Sequence, residues 1–232
     1  MVTQKVFKIF SYCTGIEAAL QQGKEAQKTF GMHLFMFIMT PAMKDIHELL
    51  NNAQSIARIF ISRIVQPGDT VVDATAGNGQ DTLYLARCVG PKGKVFGFDV
   101  QKQAIEKTSG LVSPDYSEQV YLIHDCHTTM EARIKEPVTL VLFNLGYLPG
   151  SDRSVKTLPE TTAAAAESAC RLLRPGGAVL CVVYRGHHEG RGEWQALVSF
   201  GGDLDQNTFN CCVLDFPNQV NNPPGLIAFQ KR

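Results

Sequence analysis

The sequence predicts an α/β fold: a doubly wound, mainly parallel seven-stranded sheet with an antiparallel hairpin at one edge. Three observations carry this. Short apolar runs alternate with helical patterns from about Ala42 onward, and such alternation implies right-handed crossovers and parallel strands. The runs at 138–143 (VTLVLF) and 178–183 (AVLCVV) are continuously apolar, as central strands covered on both faces are. The last two strand-like runs, 209–214 and 226–229, have no helix between them, so they pair as an edge hairpin.

The elements follow in order. Residues 45–64 place Ile46, Leu49, Leu50, Ala53, Ile56, Ala57, Phe60, Ile61 and Ile64 at helical spacing. Gln66-Pro67-Gly68-Asp69 stops that helix. Residues 70–74 form the first strand and 80–89 a helix with Leu83, Leu85 and Ala86 facing inward. Strands at 94–98 and 120–123 flank a helix at 101–111, and the 138–143 strand follows. An Ala-rich helix at 161–173 ends in Arg174-Pro-Gly-Gly177 and leads into the 178–183 strand.

Composition narrows the function. Lys plus Arg and Asp plus Glu both number 22, giving zero formal net charge. A protein that grips a long nucleic acid carries a clear basic excess, so any RNA contact here is a local patch. The seven cysteines include no CxxC pair, which fits free thiols in a reducing compartment, read as cytoplasmic. The apolar stretch at 32–43 contains His33 and is too short to span a bilayer. Residues 1–31 lack Arg and include Glu17 and Glu25, unlike a transit peptide.

The chemistry sits at the carboxyl ends of the strands. Val71-Val-Asp-Ala-Thr-Ala-Gly-Asn-Gly-Gln-Asp-Thr82 runs from a strand through a glycine loop into a helix. A dinucleotide loop has G-x-G-x-x-G, but Thr82 stands at the third glycine position and Asp81 at the helix start. A carboxylate there repels pyrophosphate and suits a cation. S-adenosylmethionine, with its sulfonium and ammonium, fits Asp73 and Asp81 better than NAD. Asp99, 20 residues after Gly79, stands where a ribose diol is held; it also suits a helix N-cap, and both roles are compatible. Asp125 in Ile123-His-Asp-Cys-His127 would accept from the adenine amine. His124 and His127 are read as loop or packing residues, because no second ligand pair has metal-site spacing. With the flanking loop residues, the candidate cofactor-binding set is Asp73, Ala74, Gly77, Asn78, Gly79, Asp81, Thr82, Asp99, Val100, Gln101, Asp125 and Asn144.

Phe143-Asn-Leu-Gly-Tyr-Leu-Pro-Gly-Ser-Asp152 follows the fourth strand, at the switch point where the crevice opens. Asn144 would accept a hydrogen bond from an attacking amine, and Tyr147 would shape the pocket. Tyr184-Arg-Gly-His-His-Glu-Gly-Arg191 would present Arg185 and His187 to a substrate, or form a solvated loop.

Together VVDATAGNGQDT, GFD at 97–99, IHD at 123–125 and LLRPGG resemble the class I S-adenosylmethionine-dependent methyltransferases, Rossmann-like in fold. FNLGYLPGSD with Lys156-Thr157, and the tail Asn218-Gln-Val-Asn-Asn-Pro-Pro224, resemble a narrower group first labelled rRNA methylases. Relatives that methylate amines commonly carry [DN]PP[YF] in the switch-point loop, so NLGYLPG is the more specific signature. The likeness runs from about Ala53 to the end of the chain. It departs at GHHEG (186–190), where the group has a GHPGG-like loop. Residues 1–42 have no counterpart and are set apart from a 43–232 methyltransferase domain, with Met39 and Met43 as alternative starts.

The resemblance implies methyl transfer to the aminomethyl nitrogen of 5-aminomethyl-(2-thio)uridine at the tRNA wobble position. For that chemistry the catalytic candidates among the loop residues are Asn144, Tyr147 and His187. Tyr147, Asp152, Arg153, Lys156 and Arg185 become the candidate contacts to the anticodon loop. No metal is implied, and a monomer or a homodimer is compatible. The rivals are methylation of another RNA, protein or small-molecule amine, a nucleotide-dependent oxidoreductase, and a non-catalytic partner subunit.

Overall fold

The computed structural model describes residues 50–112, 115–146, 159–186 and 188–232. Its strands are β1 (Thr70–Asp73), β2 (Lys94–Asp99), β3 (Val120–His124), β4 (Val138–Leu145), β5 (Leu173–Val183), β6 (Phe209–Leu214) and β7 (Gly225–Lys231). Its α-helices are α1 (Ala53–Ile64), α2 (Gln80–Val89), α3 (Lys102–Val112), α4 (Met130–Arg133), α5 (Pro159–Leu172) and α6 (His188–Asp203). The sheet order is β3-β2-β1-β4-β5-β7-β6. β3 through β5 run parallel, and β7 lies antiparallel to both β5 and β6. This is the doubly wound sheet with an edge hairpin that the sequence predicts.

Side chains alternate across the sheet and build two cores. On one face Val72, Val141, Phe143, Val179 and Phe229 meet Ala165, Ala166 and Ala169 of α5 and Leu197 of α6. On the other Val71, Val95, Leu140, Leu142 and Leu180 meet Ile56, Ala57 and Ile61 of α1 and Leu85, Ala86 and Val89 of α2. Every residue of β4 but Asn144 is buried, as befits a central strand. The chain winds from β1 toward β3 on one side and from β4 toward β6 on the other. The crevice therefore opens at the carboxyl ends of β1 and β4.

Several expected boundaries move. Among the described residues α1 begins at Ala53, because Asn52 is extended and its side chain accepts the Ser55 N–H at 2.8 Å. Residues 45–49 of the expected helix lie outside the described residues. Arg174-Pro-Gly-Gly177 belongs to β5, where the pairing with β4 shifts register and Gly176 takes φ 79°. α6 replaces what the sequence reading treats as a loop through Arg191. Among the described residues no helix is long and apolar enough to cross a membrane.

Candidate active site

Three carboxylates converge around the loop between β1 and α2. Gly77 (φ 53°) and Gly79 (φ 81°) are left-handed, which lets the loop turn sharply into α2. A Cβ on Gly79 would also sit 2.9 Å from the Thr108 Cα, so this glycine sets the approach of α3. Asp99, at the end of β2, clasps the loop. Its Oδ2 accepts the Gly77 N–H at 2.9 Å and its Oδ1 accepts the Gln101 N–H at 2.8 Å. Asp99 thus makes a local turn with Gln101, one residue ahead of α3; the helix N-cap that the sequence suggested for Asp99 is not formed, because the helix begins only at Lys102.

Asp73 is fully buried at the end of β1. Its carboxylate accepts from the Thr82 hydroxyl at 2.6 Å and from the Thr75 N–H at 3.1 Å. Burial, and then the nearby charges of Asp81 and Asp99, push its pKa up to about 7 against those hydrogen bonds. A site where three carboxylates crowd together suits a cationic ligand, whose charge would favour the ionised form of Asp73. Thr82 is buried and committed to Asp73, so it supports that acid from behind. The Ala74 main chain is also engaged: its N–H donates to Leu142 and its carbonyl meets His127 Nδ1 at 3.2 Å. His127 is buried against Phe143, and burial lowers its pKa. Asn78 and Val100 are exposed at the rim.

Asn144 projects from the end of β4 into the same crevice. Its N–H donates to Thr75 Oγ1 at 2.8 Å, and its Nδ2 donates to Asp81 Oδ2 at 3.0 Å. Its Oδ1 is buried with no hydrogen-bond partner among the described residues. Asp81 Oδ1 lies 3.9 Å from the Arg58 guanidinium. Gln54, Ala57, Arg58 and Ile61 of α1 line the crevice with Asp81, Leu142, Asn144 and Val182. Gln54 Nε2 donates to the Tyr184 hydroxyl at 2.6 Å. Sequence reasoning missed the α1 wall, because a helix facing a site and a helix facing a core share the same apolar spacing; it missed Thr75 because its hydroxyl meets Asn144, far away in sequence.

Two further candidates are engaged elsewhere. Asp125 pairs with Arg133 at 2.7 Å, which holds its carboxyl below the usual carboxylate range. Arg185 grips both oxygens of Asp215, donates to the Pro223 carbonyl and lies over the Trp194 ring at 4.5 Å. It ties the end of β5 to the β6–β7 connection, which leaves it little freedom to reach a phosphate. Tyr147, Asp152, Arg153, Lys156 and His187 lie outside the described residues.

This fold and this site, an acidic glycine loop beside an acceptor at the switch point, define a class I S-adenosylmethionine-dependent methyltransferase. The loop around Asp73, Gly77, Gly79 and Asp99 is where its cofactor would be held. Comparison with known proteins narrows the class. Residues 95–230 match the family model described as "Putative rRNA methylase". The chain is 40% identical to an Arabidopsis thaliana protein named tRNA (mnm(5)s(2)U34)-methyltransferase, chloroplastic, over 77% of this chain and 69% of that one. A crystal structure of an rRNA methylase of this description from Clostridium thermocellum superposes with a TM-score of 0.76 at 43% identity, covering 78% of this chain and 98% of that one. A Streptococcus mutans methyltransferase in complex with S-adenosylhomocysteine gives a TM-score of 0.71 at 34% identity, with the same coverage of 78% and 98%. The chain belongs to the rRNA methylase family.

Proposed function

We propose that the enzyme transfers one methyl group to the aminomethyl nitrogen of 5-aminomethyl-(2-thio)uridine at the tRNA wobble position. The observation that carries this is the 40% identity to a relative whose name specifies the mnm5s2U34 product. The crevice supports it. Bound S-adenosylmethionine supplies a methyl on a sulfonium whose sulfur keeps the bonding electron pair as the amine nitrogen takes the carbon. The chain has only to orient the amine and keep its lone pair free. The Asn144 Oδ1, buried and without a partner among the described residues, accepts an N–H and turns the lone pair toward the methyl; orientation of this kind supplies several kcal/mol or more. A partly desolvated crevice lowers an amine's pKa and favours the neutral nucleophile. Tyr147 offers a platform for the unstacked uridine, and His187 is the candidate acceptor for the proton the product nitrogen sheds.

The compartment in this reading is the cytoplasm, with the tRNA; fractionation with a marker tRNA checks it. The substrate test is an in vitro reaction with tRNA carrying 5-aminomethyluridine, read by nucleoside mass spectrometry. The expected result is a gain of one methyl per wobble uridine. Methylation of a different amine, with this tRNA untouched, would end the substrate assignment and leave the enzyme class standing. The companion variant is Asn144→Ala, expected to cut turnover far more than cofactor affinity.

A further inference from the structure

An asparagine side chain has an acceptor end and a donor end, and only the acceptor end serves an attacking N–H. What decides which end of Asn144 faces the crevice is therefore part of the catalytic machinery. The neighbour that decides it is Asp81. A carboxylate only accepts, and Asp81 Oδ2 takes the Asn144 Nδ2 hydrogen at 3.0 Å. Turning the amide over would set Oδ1 against that carboxylate, two acceptors face to face. The residue is held through its main chain too, by the Asn144 N–H on Thr75 Oγ1 at 2.8 Å. The result is an Oδ1 that is buried and has no partner among the described residues.

Asp81 is itself well placed for this task. It lies in the first turn of α2, where the helix N-terminus favours negative charge. Its other oxygen faces the Arg58 guanidinium at 3.9 Å, and Arg58 in turn lies over the Tyr84 ring at 5.0 Å. The Tyr184 hydroxyl, anchored by Gln54, has its pKa raised by burial and then by the Asp81 charge. Asp81 thus lines the reaction crevice and holds a group with each of its oxygens, Asn144 on one and Arg58 on the other.

We propose that Asp81 is a positioning residue for methyl transfer: its carboxylate fixes the Asn144 amide with Oδ1 inward, as the acceptor for the substrate's N–H. This departs from the sequence reading of Asp81 as a cofactor anchor, and it rests on the reading that Asn144 receives the amine.

The test compares wild type, Asp81→Asn, Asn144→Ala and the exchange variant Asp81→Asn with Asn144→Asp. Each is measured for S-adenosylhomocysteine affinity by calorimetry and for steady-state kcat and KM on tRNA carrying 5-aminomethyluridine. In Asp81→Asn the amide of Asn144 loses its reason to face one way. Its kcat is expected to fall at least about tenfold, with KM and S-adenosylhomocysteine affinity within about threefold of wild type. The exchange variant is expected to recover much of that loss. There the amide sits on α2 and the carboxylate on β4. The amide donates to one carboxylate oxygen and leaves the other as the inward acceptor. A recovery of this kind reports the hydrogen-bond polarity itself, which a merely structural role for Asp81 would not restore. Full turnover in Asp81→Asn beside a slow Asn144→Ala overturns the proposal alone. So does a loss of S-adenosylhomocysteine affinity with kcat preserved, which would return Asp81 to the cofactor. Undiminished turnover in Asn144→Ala, or a wild-type enzyme that leaves this tRNA unmethylated, overturns the underlying reading and the proposal with it.

Discussion

The chemistry of Asp73 is set by the fold around it. An ordinary aspartate ionises near 3.8, whereas burial holds this one at about 7. Its folded value is raised, so the folded state keeps a proton that the unfolded chain has lost between those two values. Protein without ligand is therefore destabilised by this group as pH rises from about 4 to about 7, and the effect levels off above that. Asp73→Asn is expected to flatten the melting temperature against pH over that interval; an unchanged slope would mean that another group sets it. A cationic ligand reverses the preference and favours the ionised acid. The wild-type affinity for S-adenosylmethionine is then expected to rise with pH up to about 7, checked by calorimetry in two buffers of different ionisation enthalpy. Asp99 differs, because both its oxygens are already occupied by main-chain N–H groups. Asp99→Ala frees the Gly77 loop and is expected to weaken S-adenosylhomocysteine binding by about 1–3 kcal/mol. Unaltered affinity would remove Asp99 from the site.

At the scale of elements, the β1–α2 turn is the piece the site depends on most. Gly79→Ala puts a Cβ on a left-handed residue and drives it against the Thr108 Cα. The backbone alone costs about 1–2 kcal/mol, so a lower melting temperature and weaker cofactor binding are expected together. A variant that melts lower but binds normally would show the turn to be structural only. This turn is legible in the sequence because glycine spacing and flanking acids act locally. The strands are legible for the same reason: continuous apolar runs such as VTLVLF are read without knowing their neighbours. α6 is not. Four of its residues, Gly190, Gly192, Gly201 and Gly202, are glycines, which disfavour a helix on propensity. Tertiary packing demands two of them. A Cβ on Gly192 would meet Pro159 at 2.8 Å, and one on Gly201 would meet the Cys211 sulfur at 2.5 Å and Phe229 at 2.9 Å. The α1 wall of the crevice is hidden for a related reason. Gln54 and Arg58 enter the site only because α1 lies across the ends of β4 and β5, a packing relation that no local pattern encodes.

At the scale of the whole molecule, zero formal net charge means that the proposed tRNA substrate would be held by a local basic patch rather than by a general grip. The sequence puts Arg153 and Lys156 just beyond the switch-point loop. Replacing both with Ala is expected to raise the tRNA KM and flatten its dependence on salt, with kcat little changed. A steep salt dependence that survives the double variant would place the phosphate contacts elsewhere. The same scale decides how much of the chain the enzyme needs. Both cores of the described protein are built from residues between Ala53 and Phe229. The sheet has helices on both faces within that span. Every residue that forms the described crevice, from Gln54 to Tyr184, lies within it as well. The likeness to the family is read from about Ala53 onward, and we propose that residues 1–42 form an extension dispensable for folding and for cofactor binding. A protein beginning at Met43 keeps the segment leading into α1 and its Asn52 cap. Its melting temperature is expected to stay within about 2 °C of the full chain, less than a 1 kcal/mol change brings at this size. Its S-adenosylhomocysteine affinity is expected to change less than about threefold, under 1 kcal/mol. A truncated protein that fails to fold would show instead that the apolar stretch from Leu34 to Ile38 belongs to the core. One that folds and binds cofactor but no longer methylates tRNA would assign the extension to the substrate.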